Sequence, residues 1–306
     1  GATGSGKSVA IHSLLAALLY RNAPDVLKFL IVDPKRVELA IYAGIPHLLA
    51  PPITDAKKTI QALRWAVREM ERRYEVLAAA GARDIAGYNE RVAKQQEAAR
   101  LPDGQGSRKQ EADDVMPYLV IIIDELADLM VSFPREMEGS IIRLAQMARA
   151  VGIHLVVATQ RPSVEVITGL IKANITSRVA FQVASQIDSR TILDTAGADK
   201  LLGNGDMLFL AGDTGKPRRI QGGFLSEGEV SRIVKFILDQ SESAPADSAE
   251  MEIFSSAPSA LAGAMRGEDE LQEGEDPLYE EAKETIMKAG KASASYLQRR
   301  LKIGYA

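Results

Sequence analysis

No cysteine occurs in the 306 residues. That excludes disulfide staples and thiolate-held metal, and it suits a reducing cytosol. Also absent are an apolar run of bilayer-spanning length and a signal-peptide pattern. Histidine is scarce: His12, His47 and His154 lie apart without ligand-like spacing, and read as structural. Net charge is only −4, which excludes a uniformly basic coat for nucleic acid but not local basic patches. The remaining composition is that of a globular protein, with 46% hydrophobic and 25% charged residues. The length suffices for a sizeable core and for more than one domain.

The most informative stretch is the first, Gly1-Ala2-Thr3-Gly4-Ser5-Gly6-Lys7-Ser8. It fits the phosphate loop G-x-x-x-x-G-K-[ST] at every fixed position. Glycines let backbone N–H groups turn inward around a phosphate. Lys7 supplies a point charge for the β- and γ-phosphates, and Ser8 offers a hydroxyl to Mg²⁺ at the start of a helix, whose N-terminus favours anions. Val9 to Leu19, rich in Ala and Leu, supplies that helix. The competing reading is a chance Gly/Ser turn before a helix. A phosphate loop normally follows a buried strand, and neither a strand nor an initiator methionine precedes Gly1. The expectation is therefore a fragment cut inside a domain, its first strand truncated.

Downstream, Lys28-Phe29-Leu30-Ile31-Val32-Asp33 reads as a buried strand ending on an acid. Tyr118 to Ile123, closed by Asp124-Glu125, is the most apolar stretch. Continuous apolar runs of this kind suit a parallel sheet covered on both faces. Further strands are expected at Ile153–Ala158 and Ser177–Val183, and a strand pair at Asp206–Leu210 and Pro217–Phe224 around a Gly212–Gly215 turn. Helical spacing marks about Asp55–Ala80, whose Arg and Glu residues read as a solvated face, and also Met137–Val151 and Glu227–Gln240. The polar stretch from about Lys94 to Asp114 reads as a surface loop. The alternation of strands and helices predicts a parallel α/β sheet with crossover helices. From Ser241 to about Glu275 the composition is that of a linker. A helix resumes at Asp276, with Leu278, Ala282 and Ile286 on one face. Gly290 makes a turn and Ser293 caps a second helix to Leu301, as helix–turn–helix modules begin.

Beside a phosphate loop, a strand-ending acid pair has a specific use. Asp124 would hold Mg²⁺ through its water shell opposite Ser8, and Glu125 would orient and deprotonate an attacking water. The bland alternative is a pair of acids favoured at a helix start. Gln160, ending the next strand, would sense the γ-phosphate; its alternative role is to satisfy loop backbone. If the strands carrying Asp33, Glu125 and Gln160 are parallel, their carboxyl ends share the edge where open α/β sheets bind ligands.

Several segments together closely resemble the motor of the FtsK/SpoIIIE family of bacterial DNA translocases. They are Asp33–Arg36, Arg68–Tyr74, Ile123–Met130, Gly152–Leu155, Ala158–Ser163, Gly169–Ile175, Asp188–Asp194 and Leu201–Leu208. The likeness covers residues 1–240, interrupted at about 94–114. Residues 276–306 are similar to the opening of the family's winged-helix domain. The resemblance implies a RecA-like P-loop NTPase fold with a parallel-rich central sheet, then a linker (241–275) and a partial winged-helix domain. It implies ATP and Mg²⁺ as cofactors, a hexameric ring threaded by double-stranded DNA, and a role in chromosome segregation linked to division or sporulation. It also implies an arginine supplied by the neighbour, matched by Arg149 with Arg143 as rival. Pore-facing phosphate contacts fall at Arg161, Lys172 and Arg190. Division or recombination proteins are expected partners through the winged helix, and the motor is expected on the cytoplasmic side of the bacterial inner membrane, anchored by a preceding region. The tail reaches only Ala306, so its recognition helix is expected to be incomplete and the reading of a directing DNA sequence lost. The alternatives are a secretion or conjugation ring ATPase, a small-molecule phosphoryl-transfer enzyme and a non-enzymatic DNA-binding module.

Overall fold

The computed structural model describes residues 1–100, 114–241 and 253. The chain divides into two units, Gly1–Ser255 and Ser256–Ala306, and only the first contains described residues. The expected tail helices lie outside them, as does the expected linker except for Ser241 and Ile253.

Three parallel strands form the central sheet in the order β1 (Leu27–Val32), β2 (Tyr118–Ile123), β3 (Ile153–Val157). In β1 and β2 the apolar runs are nearly continuous because both faces are covered, while β3 is mostly half-buried. Leu30, Val32, Leu119, Ile121 and Ile123 enter one core with α2 (Ala56–Ala79) and α5 (Pro134–Met147). Phe29, Ile31, Val120 and Ile122 enter a second core with α1 (Lys7–Arg21) and α8 (Glu227–Gln240). Ile253, inside the stretch the sequence assigns to a linker, is buried in the first core.

The strand at Ser177–Val183 departs from the expected parallel sheet. It is observed as β4 (Arg178–Phe181), which pairs antiparallel with β5 (Asp206–Leu210), itself antiparallel to β6 (Arg218–Gln221). The short α7 (Gln186–Leu193) packs on this second sheet over its own small core of Ala180, Val183, Ile192 and Leu193. A β-strand, helix, β-strand order in sequence does not fix strand direction when the returning strand enters through a tight loop. Here Gly203, Asn204 and Gly205 all adopt positive φ and reverse the chain.

The expected loop at 94–114 is helical at its start. Helix α3 (Ile85–Arg100) is fastened to the first core by Ile85, Tyr88 and Val92, so its polar second half continues the helix without apolar periodicity of its own. Helix α4 (Leu126–Ser132) and α6 (Gly169–Asn174) have too few residues to display a period. The solvated-face reading of α2 fails at Arg73, which is only 4% exposed. Its guanidinium donates to Glu69 at 2.8 Å and to the Val151 carbonyl at 2.9 Å. The three histidines lie apart in the structure: His12 meets the Tyr42 hydroxyl, His47 Nε2 the Asn22 carbonyl while its buried Nδ1 has no hydrogen-bond partner, and His154 stacks on Tyr118.

Candidate functional site

Strand register sets the site. Val32, Ile123 and Val157 stand level across the sheet. The residues that follow, Asp33, Asp124-Glu125 and Thr159-Gln160, therefore emerge at one edge. The phosphate loop runs along that edge, held by Ala2 N–H donating to the Gln182 carbonyl and Gly205 N–H donating to the Ser5 carbonyl. The fit tolerates only glycine at position 6. Its φ is 105°, and a Cβ there would lie 2.4 Å from the Gly205 nitrogen. Gly6 is also the N-cap residue of α1, and no side chain caps the helix. Its first-turn N–H groups are left for an anion, with the helix dipole aimed the same way.

Lys7 is buried, 6% exposed, and its ammonium donates to Asp124 twice, at 2.8 Å to Oδ1 and 2.9 Å to the main-chain carbonyl. Burial raises the Asp124 carboxyl above its ordinary value; Lys7 pulls it down, while Glu38 and Asp33 add to the rise. Ser8 lines the cleft mouth with Thr3, Gly4, Glu38 and Gln160.

Glu125 is fully buried. Its Oε1 accepts from the Thr159 hydroxyl at 2.6 Å and from Ala127 N–H at 3.3 Å. Its Oε2 accepts from Gln160 N–H at 3.1 Å and from Lys35 at 3.4 Å. Burial alone would push this carboxyl up, but these donors together outweigh it and hold the group below its ordinary value. Glu125 is thus the N-cap of α4 and an ionised carboxylate at once. Gln160 joins the two halves: its backbone N–H serves Glu125, and its side-chain oxygen accepts from Thr3 of the phosphate loop at 3.1 Å.

The structure therefore gathers Gly1–Ser8, Asp124, Glu125 and Gln160 in one place. It does not bring Arg149 there. Arg149 is exposed in the turn after α5, before β3 begins. The five-residue β3 puts it about 17 Å along the sheet from the site edge at ~3.3 Å per residue. Arg143 is engaged with Glu71 of α2. Lys172 pairs with the Asp194 carboxylate at 2.7 Å and Arg178 shares that carboxylate at 2.6 Å, while Arg190 is exposed in the last turn of α7. Arg161, 63% exposed in the side chain, pairs instead with Asp128 at 3.0 Å. Sequence reasoning missed Lys35 and Thr159 as partners of Glu125, although both stand inside the segments it singled out. Glu38, Asn204, Gly223 and Phe224 also line the cleft; the sequence reading gave none of them a part in the site, because the fold brings them there from separate segments.

A glycine loop opening a helix, a buried lysine and an acid-tipped strand, on the carboxyl edge of a parallel sheet, define a RecA-like P-loop nucleotide-binding fold. A solved structure of the pCW3 conjugation coupling protein TcpA with ATPγS shares it at TM-score 0.61 and 26% identity, over 77% of this chain and 63% of that one. The cytoplasmic domain of the Thermomonospora curvata type VII secretion ATPase EccC shares the fold at TM-score 0.61 and 24% identity, over 80% and 28%.

The chain belongs to the FtsK/SpoIIIE family, whose model matches residues 1–164, while the Ftsk gamma domain model matches 273–306. The "DNA translocase SftA" of Bacillus subtilis is 52% identical over the whole chain, and the "DNA translocase SpoIIIE" of the same organism is 50% identical. The "DNA translocase FtsK" of Caulobacter vibrioides is 47% identical. The chain spans 29%, 36% and 38% of the length of these relatives.

Proposed function

We propose that this chain is the ATP-hydrolysing motor of a double-stranded DNA translocase that works as a ring. The observation that carries the reading is the joining of Lys7, Asp124, Glu125 and Gln160 at one uncapped helix N-terminus. Whole-chain relatives at about half identity, named DNA translocases, support the choice of DNA over other cargo.

Magnesium fits the donors present. Ser8 and Asp124 supply hard oxygen ligands or partners for metal-bound water. The second Asp124 oxygen has no hydrogen-bond partner among the described residues. The metal would offset charge on the β- and γ-phosphates. The chain's own residues do the rest. A triphosphate entering the loop offers oxygens to Lys7, whose ammonium moves from Asp124 to the phosphates. Glu125, ionised and fixed by Thr159 and Gln160, accepts the proton of the attacking water. Gln160, bonded to Thr3, carries news of the terminal phosphate to the acid. Arg149, about a strand's length from its own site, serves the site of the adjoining protomer. Lys172 and Arg161 would exchange their carboxylate partners, Asp194 and Asp128, for DNA phosphates, and exposed Arg190 would add a third such contact, the sequence-blind kind a motor needs.

The test is ATP turnover with and without duplex DNA at low and high salt. Turnover is expected to rise strongly with duplex and to fall as salt is added. Lys7→Ala is expected to abolish turnover, and Glu125→Gln to keep ATP binding while blocking hydrolysis. Turnover indifferent to duplex at low salt, or normal in either variant, overturns the reading.

A further inference from the structure

We infer that Phe224 is the platform on which the nucleotide's base stacks, so that the second, antiparallel sheet completes a site begun by the phosphate loop. The inference rests on the nucleotide-binding reading of the cleft and adds the half that the loop does not provide. Phosphates are accounted for by Gly4, Gly6, Lys7 and Ser8, but none of these offers a surface to a base.

Phe224 is 81% exposed, a large apolar side chain left in water just beyond β6. It is the one aromatic residue among those lining the cleft, alongside Ser8 and Val9 of α1's first turn. An aromatic ring in water next to a phosphate site has an evident use, since base stacking on an aromatic face contributes strongly and tolerates any base.

Its position is held from two sides. Gly222 N–H donates to the Gly205 carbonyl at 2.8 Å, and Gly205 N–H in turn donates to Ser5 of the phosphate loop at 3.0 Å. On the other side, the Ser13 hydroxyl of α1 reaches the Gly223 carbonyl at 3.5 Å. The segment carrying Phe224 is thus tied through Gly205 to the loop that seats the phosphates, and through Gly223 to the helix that starts there. Stacking reads a ring face and not its edge, so ATP and GTP are expected to benefit alike.

The experiment compares binding of ATP, GTP and inorganic tripolyphosphate to the wild-type chain and to Phe224→Ala and Phe224→Tyr by titration calorimetry. Dilution to the monomer, checked by sedimentation, keeps subunit contacts out of the result. Phe224→Ala is expected to weaken ATP and GTP roughly ten-fold, within the range for loss of one stacked base, and to leave tripolyphosphate unchanged; Phe224→Tyr is expected to restore both nucleotides. Unchanged ATP affinity in Phe224→Ala overturns the inference while the phosphate site stands. Equal weakening of ATP and tripolyphosphate also overturns it, because the ring would then support the loop and not the base. A wild-type chain that binds neither ATP nor tripolyphosphate overturns the nucleotide reading itself.

Discussion

Glu125 receives more donors than a helix cap requires. A single N–H bond from Ala127 would cap α4, yet Thr159, Gln160 and Lys35 also converge on the carboxylate. Their joint effect is a buried acid that stays ionised, and the strongest neutral donor is the Thr159 hydroxyl at 2.6 Å. Thr159→Val removes that donor and keeps the shape. A carboxylate base works only when ionised, above its pKa. Losing a donor to the ionised form raises that pKa, so the acid limb of the kcat–pH profile is expected to move toward neutrality. Steady-state turnover followed down the acid limb checks this, and an unmoved limb would mean that another donor sets the acid's strength. At this scale the sequence made Lys7, Asp124, Glu125 and Gln160 legible, because each stands at a fixed offset from a glycine loop or an apolar strand. Lys35 and Thr159 were not assigned, since their task is defined by a carboxylate that folding brings from another strand.

Helix α2 illustrates what period alone conceals. Its apolar stripe is plain in the sequence, and the helix falls where spacing predicts. The charged residues among that stripe divide unexpectedly: Arg72 lies at the surface, while Arg73 enters the interior to hold the Val151 carbonyl. At the next residue, the Tyr74 hydroxyl donates to the Met147 carbonyl at 2.6 Å. Together they brace the turn from α5 into β3, the turn that carries Arg149. Tyr74→Phe is expected to cost about 1 kcal/mol of folding stability, the usual worth of one such bond, measurable by urea denaturation. Turnover is expected to fall by more than the small loss of folded protein explains, because the turn is loosened. Helices α4 and α6 escaped the sequence reading for the opposite reason: too short to show a period, they are set by caps from Glu125 and Thr168 and by packing. The direction of β4 was illegible because apolar content reports burial, and pairing direction depends on the loop that returns the chain.

In the whole unit, the two ends of the parallel sheet have separate work. The carboxyl edge holds the loop and the acids; the amino edge presents Arg149, exposed in the turn before β3. In the ring proposed above, a residue so placed would act on another copy. Arg149→Ala and Glu125→Gln, each inactive alone, are therefore expected to regain part of the wild-type ATPase rate when mixed before assembly on duplex DNA. Mixed rings that stay silent would leave the site closed within one chain.

The bond from Lys7 to Asp124 also has a consequence for how the engine is primed. With nothing in the loop, the lysine neutralises the very carboxylate that a divalent ion would seek. On the proposed function, a triphosphate that drew the lysine away would free that carboxylate for a divalent ion, so metal and nucleotide would be expected to arrive together.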